Sequence, residues 1–161
     1  PLYSSAASDV YKRQSENTAP TAEFIAKVQE ILDPVPYAQQ GVGIAPIGHR
    51  VTVEGAVAKA VTMRVRLTLN SGAVIDAVKP VVEKALNAYF AELNTGWKDT
   101  QVVNVGAFTN TGLVVRRAKI ESLLLDVTGV VDVESLTLNG AAENVHLGKD
   151  ELAALGGVTY E

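Results

Sequence analysis

VTMRVRLTLNSGAVIDAVKPVVEKALNAYFAEL, residues Val61–Leu93, holds the two periodicities that decide the fold. In its first nine residues Val61, Met63, Val65, Leu67 and Leu69 fall on one side of an extended chain, and Thr62, Arg64, Arg66 and Thr68 on the other. Side chains alternate across a strand, so this is a strand with one buried and one wet face, as in an antiparallel sheet. Asn70-Ser71-Gly72 then turns the chain, with Ser71 as the expected cap, into a long helix. Its apolar stripe runs through Val74, Val78, Val81, Val82, Ala85, Leu86, Tyr89, Phe90 and Leu93. Pro80 lies beyond the first turn and is expected to kink this helix, not to start it, because the stripe continues on both sides.

Upstream, Arg50–Val57 repeats the alternation, with Val51, Val53, Gly55 and Val57 opposite Thr52 and Glu54, and reads as a second strand. Before it, Thr21–Leu32 sets Phe24, Ile25, Val28, Ile31 and Leu32 at helical spacing behind a Thr21 cap. That helix must stop at Asp33-Pro34, since proline disfavours the α conformation in the residue before it. Asp33–Gly48 (DPVPYAQQGVGIAPIG) mixes prolines with glycines and predicts a structured loop or extended arm.

Downstream, Val102, Val103 and Val105 predict a short strand. Thr109-Asn110-Thr111-Gly112 offers a turn into Leu113–Val115, giving a hairpin or edge strand. Ile120, Leu123, Leu124 and Val127 mark a second helix over Arg117–Val127, ending near Gly129. In Val130–Leu138 the inward parity shifts between Val131/Val133 and Leu136/Leu138, which predicts a β-bulge near Glu134-Ser135. Asn139-Gly140 is a hairpin signal, with Asn144–Leu147 as the short returning strand. Two helices that each own one apolar stripe, among alternating strands, predict an α+β two-layer sandwich. Its sheet is mostly antiparallel, with both helices on one face in the ferredoxin-like manner.

The expected division is a non-native, adaptor-derived scar over 1–14 (PLYSSAASDVYKRQ), then linker, short helix and Pro/Gly-rich arm over 15–48, then the α+β domain over 49–161. On this reading the chain is the tail end of a longer protein. Hydrophobic residues at 47% and charged residues at 20% allow a normal core in 161 residues. A net charge of −4 argues against a dedicated nucleic-acid binder, whose footprint is a clustered basic excess. Cysteine is absent from these residues, which removes disulfides, thiol catalysis and Cys-ligated metals. The apolar stretch Val74–Leu93 is broken by Asp76, Lys79, Glu83 and Lys84, short of the roughly 18 residues that a span needs.

No catalytic constellation stands out. His49 and His146 are the two imidazoles, far apart, and read as structural or exposed. Gly41, Gly43 and Gly48 lead into a strand and lack the GK[ST] of a phosphate loop, so they are backbone turns. Asp126 with Asp132 and Asp150 with Glu151 read as solvated or capping charges. GxSxG is absent. Arg64 and Arg66 project from one strand face without the aromatics on which an RNA-reading sheet stacks bases, so a protein partner or solvent is the expectation there. No catalytic, cofactor-binding or metal-binding residue is assigned, and no enzyme is expected.

Two groups of short motifs, in order, carry a family resemblance. The first is Asp33-Pro34, Gly41-Val42-Gly43, Ala45-Pro46-Ile47-Gly48 and Val51-Thr52-Val53; the second is Gly129-Val130, Val131-Asp132-Val133, Leu138-Asn139-Gly140, Leu155-Gly156 and Val158-Thr159. In this the chain resembles the C-terminal part of baseplate J-like proteins, wedge components of Mu-type contractile phage tails, in their Gram-positive prophage form. It departs from the family at Ala154, where a proline is usual, and in a longer Asn94–Gly112 stretch. The resemblance implies a structural subunit of a tail baseplate, located in the virion and assembled in the host cytoplasm. Its partners would be other baseplate and tail proteins and copies of itself around a sixfold axis, without a cofactor. The candidate contact residues are Tyr37, Ile44 and Ile47 on the arm, Arg64 and Arg66 on the open sheet face, and Val158 and Tyr160 in an apolar, strand-prone tail. The competing readings are a stand-alone α+β regulatory module with a small ligand between helix and sheet, and a baseplate component of a type VI secretion-like injection machine.

Overall fold

The computed structural model describes residues 19–96, 101–104, 107–110 and 112–161. Along the chain run α1 (Ala22–Leu32), a 3-10 turn (Val35–Tyr37), β1 (Val57–Leu69), α2 (Ile75–Thr95), β2 (Gln101–Asn104), β3 (Ala107–Asn110) and β4 (Val114–Val115). They are followed by α3 (Arg117–Leu125), β5 (Val130–Leu138), β6 (Val145–His146) and β7 (Glu151–Tyr160). The main sheet has the order β5-β1-β7, with β1 antiparallel to β5 and parallel to β7. Two small antiparallel pairs, β2 with β3 and β4 with β6, complete the strands.

The alternation in β1 does what it predicts. Val61, Met63 and Val65 are buried and share one apolar cluster with Val78, Val82, Leu86 and Phe90 of α2 and with Ile120 and Leu124 of α3. Thr62, Arg64 and Arg66 face solvent. Both helices therefore lie on one face of the sheet, and the architecture is the expected α+β two-layer one. Each fully buried Leu, Ile or Val contributes about 1.5–3 kcal/mol relative to exposure, so this cluster is the main source of stability.

Several local expectations change. No strand forms over residues 50–56, and β1 begins only at Val57. The N-cap of α2 is Val74, without a side-chain bond, and not Ser71. Gly72, at φ +96°, makes the turn before it. The helix continues through Pro80, but its buried stripe is narrower than the sequence stripe: Val74 and Val81 are exposed. β2 and β3 pair antiparallel, but Thr109 and Asn110, expected in a turn, lie in β3, and Val114–Val115 pairs with β6; Val105 and Thr111, named in the expected strand and turn, lie outside the described residues.

The predicted bulge is present. Arg66 pairs with Ser135 and Leu67 with Val133, leaving Glu134 as the extra residue. A second shift beyond Thr68 turns Val131 outward and exposes it, so only Val133 of the expected inward pair packs towards the core. Asn139 (φ +51°) and Gly140 (φ +81°) form the tight turn. The chain then returns through a single bridge from Leu138 to Ala141, and β6 pairs with β4 instead of β5. The largest difference is at the C-terminal end. The expected docking tail is β7, a ten-residue strand in register with Val57–Val65.

Candidate interaction surfaces

The first surface is the arm, which folds back on α1 and is not extended. The last carbonyls of a helix have no partner within it. Here Ile44 N–H donates to the Ile31 carbonyl (3.1 Å) and Ala45 N–H to the Leu32 carbonyl (2.8 Å), so the arm caps α1. Gly43 makes this possible, since a Cβ there would sit 2.4 Å from the Leu32 carbonyl oxygen. Asp33, 2% exposed, accepts Gln39 N–H at 3.0 Å on Oδ1 and Val51 N–H at 3.1 Å on Oδ2. Gln29 Nε2 donates to the Asp33 and Val51 carbonyls (2.7 and 2.9 Å), and its Oε1 accepts Val53 N–H (2.8 Å). Two polar side chains thus hold α1, the arm and residues 51–53 together.

Apart from the buried Ala45, the arm's apolar side chains stay largely outside this network. Ile44 is 71% exposed and Ile47 79%, with Val35, Tyr37 and Val42 also exposed. On α1 no residue is buried, and Phe24 and Ile31 are exposed. Of the expected contact residues, Tyr37, Ile44 and Ile47 therefore share one solvent-facing loop.

The second surface is the open face of the sheet. Arg64 and Arg66 project from it as expected, and both reach the Glu161 carboxylate, at 3.4 and 3.9 Å. Exposed ion pairs of this kind contribute about 0–1 kcal/mol. Glu134 Oε1 accepts Thr68 Oγ1–H at 2.6 Å on the same sheet.

Val158 and Tyr160 are separated from both surfaces. They are half-buried and pack against the core from β7. Lys79 lies 5.7 Å from the centre of the Tyr160 ring. The Tyr160 hydroxyl is buried without a hydrogen-bond partner, and burial, reinforced by the Glu83 charge, pushes the phenol up to about 12. Leu67, Leu69, Ile75, Lys79, Tyr160 and Glu161 line a shallow depression of about 320 Å³ where β7 ends and β1 continues. A second, of about 420 Å³, lies between the end of α2 and Arg116 and Lys119. Beside it the Tyr89 hydroxyl accepts Arg116 N–H at 3.3 Å, and burial raises the Tyr89 phenol above its ordinary value.

The two imidazoles are both exposed, His49 just after the arm and His146 in β6. Among the described residues, no three His, Cys, Asp or Glu side chains gather where a metal ion could be held. Nor is any helix among them long and apolar enough to cross a membrane.

The sequence reading missed the polar clamps. Besides Gln29 and Asp33, Asn94 of α2 is buried, and its carboxamide exchanges two 2.9 Å bonds with Ala153 N–H and C=O on β7. Asn139 Oδ1, in the tight turn, accepts Thr62 N–H of β1 at 2.9 Å. An Asp before proline at a helix end is a known backbone acceptor, which was the available signal for Asp33. Its Val51 partner, eighteen residues on, carried none.

By architecture the molecule is a two-layer α+β domain that presents surfaces, with an apolar helix–loop unit at one end. The chain belongs to the baseplate J-like family: residues 61–161 match the model of the baseplate J-like protein C-terminal domain. Among its relatives is the phage-like element PBSX protein XkdT of Bacillus subtilis (strain 168), 32% identical over 135 residues, which are 84% of this chain and 34% of the relative. The uncharacterized protein YqbT of the same strain is 32% identical over 143 residues, 88% of this chain and 36% of that protein. The chain spans about a third of the length of these curated relatives. The phage-like element and its Gram-positive host agree with the prophage type of the sequence motifs.

Proposed function

We propose that this chain is a structural part of a contractile phage or prophage tail baseplate, contributing protein–protein contacts in the wedge. The observation that carries the reading is the exposed apolar arm, with Tyr37, Ile44 and Ile47 turned to solvent, on a chain of the baseplate J-like family. Surfaces of that kind bind by burial, and an apolar loop on a rigid cap loses little entropy on docking. Other baseplate and tail proteins, and copies of this protein around a sixfold axis, are its partners. The open sheet face with Arg64 and Arg66 is a second, polar contact. The reading places the protein in the virion, at the baseplate end of the tail, after assembly in the host cytoplasm, with no catalytic role.

The test is location. An antibody against residues 57–161 should label the baseplate end of tails purified from a strain carrying this gene. Tails that assemble fully and bear no label would overturn the reading.

A further inference from the structure

Residues 50–56 have the alternation of a strand and no strand partner. Val51, Val53 and Gly55 are half-buried while Thr52 and Glu54 are exposed, so the side chains already sort to two faces. The Gly55 side looks towards α1, where a Cβ would meet Ile25 Cδ1 at 2.5 Å. The backbone is sorted too. In an extended chain the N–H and C=O of alternate residues point to the same edge. The N–H and C=O of Val51 and the N–H of Val53 are taken by the side chains of Asp33 and Gln29. On the opposite edge, neither Thr52 nor Glu54 has a backbone partner among the described residues.

The helix above this segment is incomplete in the same way. α1 is amphipathic, yet none of Phe24, Ile25, Val28, Ile31 and Leu32 is buried. A helix with an apolar stripe is stabilised by something to lie on. Residues 51–55 cover only part of that stripe. One further strand, paired along the Thr52–Glu54 edge, would extend the surface beneath α1 and satisfy the open backbone groups.

The relatives indicate where such a strand comes from. The chain covers about a third of each relative, and the matched family model, a C-terminal domain, starts at residue 61, just after this unit. Polypeptide that precedes the matched C-terminal domain in such a protein reaches it by way of α1 and the arm. We propose that residues 20–56 are the closing helix and strand of a second two-layer α+β domain. Its sheet is completed by an extended segment preceding Pro20 in the full-length protein. Because α1 and the arm then form the crossover, the new strand runs parallel to residues 50–56, and the connection is long enough for a parallel pair. The inference rests on membership of the baseplate family but not on the tail location.

Per-residue hydrogen exchange on two existing proteins tests it: this 161-residue chain and the full-length PBSX relative, both dilute and monomeric. The amides of Thr52 and Glu54 should exchange freely in this chain. At the matched positions of the full-length relative they should be slowed on the order of 100-fold, with strand pairing within one molecule. Free exchange there, beside a protected C-terminal domain, would overturn the proposal. So would protection that appears only at concentrations where the relative associates, since a neighbour would then supply the strand. Neither result bears on whether tails carry the protein.

Discussion

The helix–sheet domain over residues 57–161 and the helix–loop unit over residues 20–56 are held by different means. In the first, two helices bury Val78, Val82, Leu86, Ile120 and Leu124 against β1, and a carboxamide clamp at Asn94 is added to an apolar core that already exists. In the second, no residue of α1 is fully buried, and the clamp formed by Gln29 and Asp33 is the principal tie. Apolar burial is non-directional and leaves little surface for others. Hydrogen bonds to the backbone fix a shape while leaving the apolar side chains outside. The difference explains how one chain can be stable in one part and remain open to partners in the other.

The strongest way to break that comparison is Leu124→Ala. It should cost about 2–5 kcal/mol through lost burial and a residual cavity, lowering Tm by roughly 5–15 °C. Exchange at Val51 and Val53, bonded to the Gln29 and Asp33 side chains, should stay unchanged below the transition. If those amides open with the core, the two regions are one cooperative unit. Next is Asn94→Ala, which strips Ala153 N–H and C=O of their partner in a buried position and should cost about 1–3 kcal/mol by denaturant titration. Asp33→Ala, a comparable loss of two bonds, should instead act locally. The Gln39 and Val51 amides should exchange faster while the main Tm moves by less than about 2 °C. A large fall in Tm would show that the helix–loop unit supports the sheet.

The same contrast governs what was legible in the sequence. Val61–Leu69 and the stripe from Val78 to Phe90 could be read because burial leaves a period. The bulge at Glu134 was legible for the same reason, as a break in that period. β7 was not, because Gly156 and Gly157 shift its parity: Ala153 and Leu155 pack inward before the bulge, and Val158 and Tyr160 after it. Residues 50–56 failed in the opposite sense. Their alternation is real, but a strand needs a neighbour, and none of the described residues supplies one. Clamps such as Gln29 with Val53 leave no periodic trace, since one polar side chain looks like any other until its distant partner is known.

Tyr160→Phe sharpens the boundary between core and surface at the end of β7. The folded phenol is held up at about 12, mainly by burial, against about 10 in the unfolded chain. The folded state therefore keeps the proton longer than the unfolded state does. Stability should be intact below pH 10 and decline as pH rises from about 10 to about 12. The variant should lack that decline and, with a partnerless hydroxyl removed, be neutral or slightly more stable near pH 7. An unchanged alkaline decline would place its origin in another group.

The smallest stability effect belongs to Arg64→Glu with Arg66→Glu. Both side chains are more than half exposed, and their pairs with Glu161 are long. Solvent screens such contacts, so thermal stability should change by no more than about 1 kcal/mol. Ile44→Asp with Ile47→Asp should be equally mild, since those side chains meet water already. Measured together, the two double variants separate the surfaces. Concentration-dependent association seen by light scattering should weaken with the arm variant if burial drives contact, and with the arginine variant if charge does. A large loss of stability from the arginine pair would mean that Thr62, Arg64 and Arg66 face the helices and Val61, Met63 and Val65 the solvent, and the sheet would have to be turned over.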